Sequence, residues 1–232
     1  MPRLIFDIET IGVDFEKLDK KSKEFLLEYA ESPEEEQLVK EGLGFSPLTG
    51  EVVAIGILNP DTDKGAIYFT DLSNTLEKYS DKDIQYTPCA SEKEVLKEFW
   101  DTAQLYEQFI TFNGRSFDGP YMMIRSAINK IKSSKNLVPY RYETEGYGKI
   151  ITHLDLLDRL TFFGALHHGR RGLHMWCQAF GIKSPKDNGI TGNDVAQLFK
   201  EKKYLDIAQY CAGDLWATKE LLNYWEKYIN IK

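Results

Sequence analysis

Cysteine is scarce in this chain of 232 residues. Cys89, Cys177 and Cys211 are scattered, odd in number and without a C-x-x-C spacing. That argues against a disulfide framework and a thiolate zinc site, and it suits a reducing compartment, so the cytoplasm is the expected location. No apolar run approaches the length a membrane span needs, so no membrane association is expected. The chain enters its first strand at once, and a signal peptide is not expected. Phosphate-loop glycines are missing: nothing matches G-x-x-x-x-G-K-[ST], and "GLGFSPLTG" lacks the third glycine of a dinucleotide fingerprint. No G-x-S-x-G elbow appears. Positive charge is also in deficit, with 29 Lys and Arg against 36 Asp and Glu, a net charge of −7.

That deficit is unevenly spread. Residues 1–114 carry 11 basic and 24 acidic side chains, whereas residues 115–186 carry 12 basic and 5 acidic. A basic middle third can face a phosphate backbone despite the global sign, although a solvated surface is the plainer reading. Length and composition fit one substantial core, a single domain over 1–232. Strands are expected at 4–10, 51–58, 65–70, 109–112 and 150–156, with helices over 91–108, 119–132, near 173–180, at 194–200 and over 204–229. The acidic stretch 14–46, with Phe15, Leu18, Phe25, Leu26 and Tyr29 at helical spacing, reads as a helical insertion after the first strand. The expected class is α/β, a mixed central sheet flanked by helices.

The first strand, "LIFDIET", sets a problem. Asp7 and Glu9 lie two apart and therefore on one face, where two half-buried like charges repel. Asp118 follows in "TFNGRSFDGPYMMIR", where an Asp before Gly-Pro also reads as a helix cap. Asp214 stands four after Tyr210 in "YCAGDLWAT" and has no Lys or Arg at i±3 or i±4, so no helical ion pair explains it. Carboxylates on a strand, a loop and a late helix suit hard divalent cations, which take oxygen ligands. A cation between Asp7 and Glu9 would make their shared face tolerable. The pair His167-His168, before Gly169-Arg170-Arg171, suits a polar loop better than a metal cage.

"FDIET", "FNGRSFDGP" and "YCAGD", in that order, closely resemble the three motifs of the DEDD superfamily of 3′–5′ exonucleases on the ribonuclease H-like fold. The Y-x-x-x-D spacing resembles the DEDDy branch. "HLDLLDRLTFFGA", "DVAQLF" and "IAQYCAGDLWAT" look like stand-alone relatives of the proofreading domain of family B DNA polymerases. The resemblance covers about residues 3–10 and 50–225. It implies two ions, Mg2+ or Mn2+, with Asp7 bridging both, Glu9 and Asp214 holding the ion that activates water, and Asp118 helping to hold the other. Tyr210 is implied to hydrogen-bond the water or the scissile phosphate. The implied activity releases nucleoside 5′-monophosphates from ends of single-stranded DNA. An RNA exonuclease of the same branch, and a catalytically silent nucleic-acid-binding module, are the alternatives.

Substrate contacts are expected from Arg115, Arg125, Arg170, Arg171, Lys183 and Lys186 toward phosphates, from Phe112 and Phe117 toward a terminal base, and from Thr10 and Asn113. His153 and Asp158 match the H-x-x-x-x-D spacing of another branch, but "ITHLDLL" reads as a strand end leading into a helix. His153 is therefore expected to be structural or supporting, and Asp155 a secondary candidate facing the same site.

Overall fold

The computed structural model describes residues 1–142, 151–166 and 172–231. Seven strands form one mixed sheet: β1 (Arg3–Gly12), β2 (Gly50–Leu58), β3 (Gly65–Thr70), β4 (Tyr79–Asp81), β5 (Ile84–Cys89), β6 (Gln108–Thr111) and β7 (His153–Asp155). Their order is β4-β5-β3-β2-β1-β6-β7. β1 runs antiparallel to β2 and parallel to β6, so it sits near the middle of the sheet.

Alternation along β1 divides its side chains between two layers. Leu4, Phe6 and Ile8 enter a core with α3 (Glu92–Ala103) and α4 (Asp118–Ile128), built on Phe99, Trp100, Phe109, Tyr121 and Met122. Ile5 enters the opposite core, with α5 (Leu156–Leu160), α6 (Leu173–Phe180), α7 (Val195–Lys200) and α8 (Tyr204–Tyr224). Asp7 and Glu9 continue the Ile5 face toward α8. α8 lies hard against the sheet: a methyl group at Gly56, which pairs with Asp7 across β1 and β2, would stand 2.8 Å from the Cys211 sulfur.

Two expected helices end earlier than their periodicity indicates, and a third changes its winding near its end. α3 starts at the Ser91 cap, whose hydroxyl accepts from Glu94 N–H, but it stops at Ala103, and Leu105 is exposed. The N–H groups of Leu105 and Tyr106 bond to carbonyls three residues back, a tightening that ends the helix before β6 begins. α4 closes at Ile128 because Lys130 is left-handed (φ 58°), with Ile131 N–H on the Ser126 carbonyl and Lys130 N–H on that of Ala127. After Tyr224 the last helix widens into a π-type turn, Trp225–Ile229.

Between β1 and β2 stand α1 (Lys20–Leu26) and α2 (Pro33–Glu41), capped by Asp19 and Ser32. Neither helix buries a residue, and Phe25 and Tyr29 are exposed, so the apolar positions of this segment do not form a core face. Its final turn, Gly42–Phe45, is anchored instead, with Leu43 and Gly44 buried. Among the described residues no helix is long and apolar enough to cross a membrane.

Candidate active site

β6 pairs with β1 only as far as Ile5, so beyond that point the β6-side edge of β1 is open. Asp118 fills it: its Oδ1 accepts the Ile8 N–H at 3.1 Å, between Asp7 and Glu9 in sequence. The Asp118 side chain makes no capping bond to its own helix, whose N-cap is Phe117. The cap reading of this residue is thus corrected: an orphan donor on a strand edge attracts the carboxylate more strongly than its helix start. Directly after Glu9 the β1–β2 register slips at a bulge, a usual device for re-aiming side chains.

The loop that delivers Asp118 is held by Asp155. Asn113 is left-handed (φ 65°), and a methyl group at Gly114 would stand 2.4 Å from the Thr111 hydroxyl, so this turn admits little else. The Asp155 carboxylate accepts the N–H groups of Asn113 (2.9 Å), Arg115 (3.0 Å) and Leu157 (3.0 Å). His153 Nδ1 lies 2.7 Å from the Leu137 carbonyl, which only accepts, so Nδ1 carries the proton and Nε2 accepts from the Thr111 hydroxyl at 2.8 Å. Thr111 Oγ1 in turn accepts Gly114 N–H. Asp158 is held by Arg141, whose Nε donates at 2.9 Å, with the Arg115 Nε 4.0 Å away. The His153/Asp158 spacing therefore assembles no site; both residues brace the loop and its flank.

Asp7, Glu9, Phe112, Asn113, Phe117, Asp118, Tyr210 and Asp214 line one cavity of about 210 Å3, together with Ile8 and Leu173. Ligating atoms of Asp7, Glu9 and Cys211 lie within 4.8 Å of one another. Cys211 was legible only as part of the α8 stripe; its thiol touches the Asp7 carbonyl oxygen (3.8 Å) and carboxylate (3.9 Å). Nothing in the sequence distinguishes that contact from ordinary core packing.

The electrostatics are those of like charges held together out of water. Burial first, then Asp214, Asp118 and Glu9, raise Asp7 well above the ordinary carboxyl range. Burial, Asp214 and Asp118 do the same to Glu9. Asp118 is pushed up to about 7 by burial, partly offset by its own N–H and that of Ile8. Asp214 also reaches about 7, again through burial, offset by a hydrogen bond from Tyr210 and by the charge of Lys186. Tyr210 is raised by burial and these carboxylates, so its hydroxyl keeps its proton and donates. An oxygen-rich set of mutually repelling carboxylates, Glu9, Asp118 and Asp214 buried and Asp7 half-buried, fits a hard divalent cation that relieves their repulsion.

Several expected substrate contacts lie elsewhere. Arg125 grips Glu92 through Nε (2.8 Å) and Nη2 (2.6 Å), reaches the Pro47 carbonyl and is buried, so it is a brace between α3 and α4 and not a phosphate contact. Replacing Arg125 with Ala leaves the part-buried Glu92 without its cation and is expected to cost about 3 kcal/mol of stability in urea unfolding. The KM for an oligonucleotide should not move. Thr10 donates its hydroxyl proton to the Gly44 carbonyl at 2.8 Å, which ties it to the 14–46 segment. The Arg115 guanidinium is turned to the Pro139 carbonyl (2.6 Å). Lys183 and Lys186 are exposed, Lys186 close enough to Asp214 to act on it, and Arg170 and Arg171 lie outside the described residues.

A family model described as a predicted 3′–5′ exonuclease related to the exonuclease domain of PolB matches residues 49–224. That span holds Asp118, Tyr210 and Asp214, while Asp7 and Glu9 on β1 precede it. Comparison with curated proteins found no match. Among solved structures, the family B DNA polymerase of the hyperthermophilic archaeon Pyrobaculum calidifontis is similar at 16% identity and a TM-score of 0.56, over 97% of this chain and 24% of the polymerase. The likeness is one of fold, a mixed sheet flanked by helices as in the ribonuclease H-like exonuclease domain. This chain spans about a quarter of that polymerase's length.

Proposed function

The chain belongs to the family of predicted 3′–5′ exonucleases related to the exonuclease domain of PolB, and from that premise we propose that it hydrolyses single-stranded DNA from the 3′ end to nucleoside 5′-monophosphates in the cytoplasm. The observation that carries the reading is the meeting of Asp118 Oδ1 with Ile8 N–H, which brings a residue 110 positions away between Asp7 and Glu9. Exonuclease domains of this kind generally use divalent metals. Here Asp7, Glu9, Asp118 and Asp214 would hold two Mg2+ or Mn2+ ions. When bound, such ions lower the pKa of water and stabilise the charge that develops on phosphate oxygens.

The chain's own residues supply the rest. Phe112 and Phe117, which line the cavity, offer apolar surface to the terminal base, and Asn113 adds polar atoms to the same lining. Tyr210 keeps its proton and so has no phenolate to act as a base; its hydroxyl is placed to orient the attacking water or a phosphate oxygen. Lys186 supplies a cation on the Asp214 side.

Tyr210→Phe isolates the hydroxyl's contribution. Removing one positioned donor is expected to lower kcat by about a hundredfold, while manganese binding by calorimetry and the melting temperature stay near wild type. Should metal affinity fall as far as turnover, Tyr210 would be acting through Asp214 and not on the substrate. The whole reading is tested with labelled single-stranded DNA and RNA in magnesium, manganese and chelator. Degradation of neither polymer in any metal would overturn it.

A further inference from the structure

Outside both cores, the rings of Tyr140, Tyr142 and Phe163 meet in the basic third of the chain, with the exposed Phe162 next to Phe163 in sequence. Tyr140 is 73% exposed, Tyr142 52% and Phe162 61%. The Tyr140 and Tyr142 rings meet at 5.8 Å and 70°, and the Tyr142 and Phe163 rings at 5.3 Å and 54°. Two guanidinium groups lie against them, Arg141 at 6.0 Å from the Tyr142 ring centre and Arg159 at 4.9 Å from that of Phe163. Phe162 and Phe163 are both left-handed (φ 51° and 55°), a conformation bulky L residues rarely adopt. Consecutive strain of this kind, spent on keeping aromatic rings at the surface, is a mark of function more than of packing.

We propose that this cluster is a stacking platform for the bases of single-stranded nucleic acid on the 5′ side of the terminal nucleotide held in the cavity. The inference rests on the exonuclease reading above and names where the rest of the substrate lies. Rings stack bases of any identity, and the guanidinium groups against them add positive charge to this surface, Arg141 while it pairs with Asp158. The platform also joins the cavity through the protein. Asn113, which lines the cavity, shares the Asp155 carboxylate with Arg115, and the Arg115 guanidinium donates to the carbonyl of Pro139, the residue before Tyr140. The proposed path takes the strand out of the cavity past Asn113 and toward Tyr140. The sequence-level expectation of Phe112 and Phe117 as base contacts concerns the terminal nucleotide alone. Tyr140, Tyr142, Phe162 and Phe163 would instead set how strongly a longer chain is gripped.

The test compares the full-length protein with Tyr140→Ala/Tyr142→Ala, using a short oligothymidylate and the thymidylate dinucleotide. The double variant is expected to raise KM for the oligonucleotide tenfold or more with kcat held within twofold. Its kinetics on the dinucleotide, too short to reach the platform, should not change. Anisotropy of a labelled oligothymidylate in chelator, where no turnover occurs, should show the same loss of affinity, and Tyr140→Phe/Tyr142→Phe should restore it. Equal KM and equal affinity for wild type and double variant, in a wild type that degrades the oligonucleotide, would overturn the platform and leave the exonuclease reading intact. An equal loss on the dinucleotide would overturn it too, as a distortion of the cavity. A wild type that neither binds nor degrades the oligonucleotide would overturn both.

Discussion

Asp7→Asn is expected to abolish turnover and, in chelator, to raise the melting temperature. The two effects share one cause. Asp7 is surrounded by Asp214, Asp118 and Glu9 and is starved of water, so its charge is disfavoured unless a cation accompanies it. An asparagine keeps the shape, removes the repulsion and loses the capacity to neutralise a cation. A metal's charge stabilisation is worth several kcal/mol, so the loss of activity should be about a thousandfold or greater. The stability gained without metal should be about 1–2 kcal/mol, the usual scale for relieving a functional site. A labelled-oligonucleotide assay and paired melts with chelator check both. A variant that keeps a tenth of wild-type turnover, or melts lower than wild type in chelator, would sink the assignment.

The second large effect is a reversal of pH dependence by metal. Asp118 and Asp214 rise from 3.8 in the ordinary case to about 7 in the folded protein. The folded state therefore binds more protons than the unfolded chain between those values, and stability must fall as pH rises across that window. This is opposite to the behaviour of a salt-bridged carboxylate. Since a tenfold change in proton affinity is worth about 1.4 kcal/mol, and protonating one group relieves the other, the loss without metal is on the order of 5 kcal/mol. Saturating manganese binds the ionised carboxylates of the folded state only, and should flatten or invert the slope. Urea midpoints from pH 5 to pH 8, with chelator and with manganese, measure this. Parallel profiles in the two conditions would show that the cation sits elsewhere.

Much of this architecture can be read from local pattern. The alternation of Leu4, Phe6 and Ile8 against Asp7 and Glu9 gives both the two-sided burial of β1 and the shared face of its carboxylates, because strand periodicity is a property of neighbours. The Ser91 cap, β3 and α6 are local in the same way. What stayed hidden depends on distant partners. Asp155 looks like a further ligand until its three backbone donors are seen, two of them 42 and 40 positions away. Arg125 looks like a phosphate contact until Glu92 claims it. β4 has all three residues exposed and no apolar alternation to announce it, and it exists only because β5 offers an edge. Leu105 matched a helical stripe by spacing alone, which says nothing of whether the helix continues that far.

The Gly44 carbonyl oxygen accepts two hydrogen bonds, from Thr10 at 2.8 Å and from the buried Tyr121 hydroxyl at 3.0 Å. Thr10 adjoins Glu9 at the bulge, and Tyr121 sits one helical turn past Asp118. A carbonyl has two lone pairs, so this oxygen is saturated and has no capacity left for another partner. In evolutionary terms the segment between β1 and β2 divides into unequal parts. The exposed stretch from residue 14 to residue 41 is free to lengthen, shrink or change sequence, since little of the interior depends on it. The turn at 42–45 has no such freedom, because an insertion or deletion there would shift an atom that, beside the Ile8–Asp118 bond, ties the strand of Glu9 to the helix of Asp118.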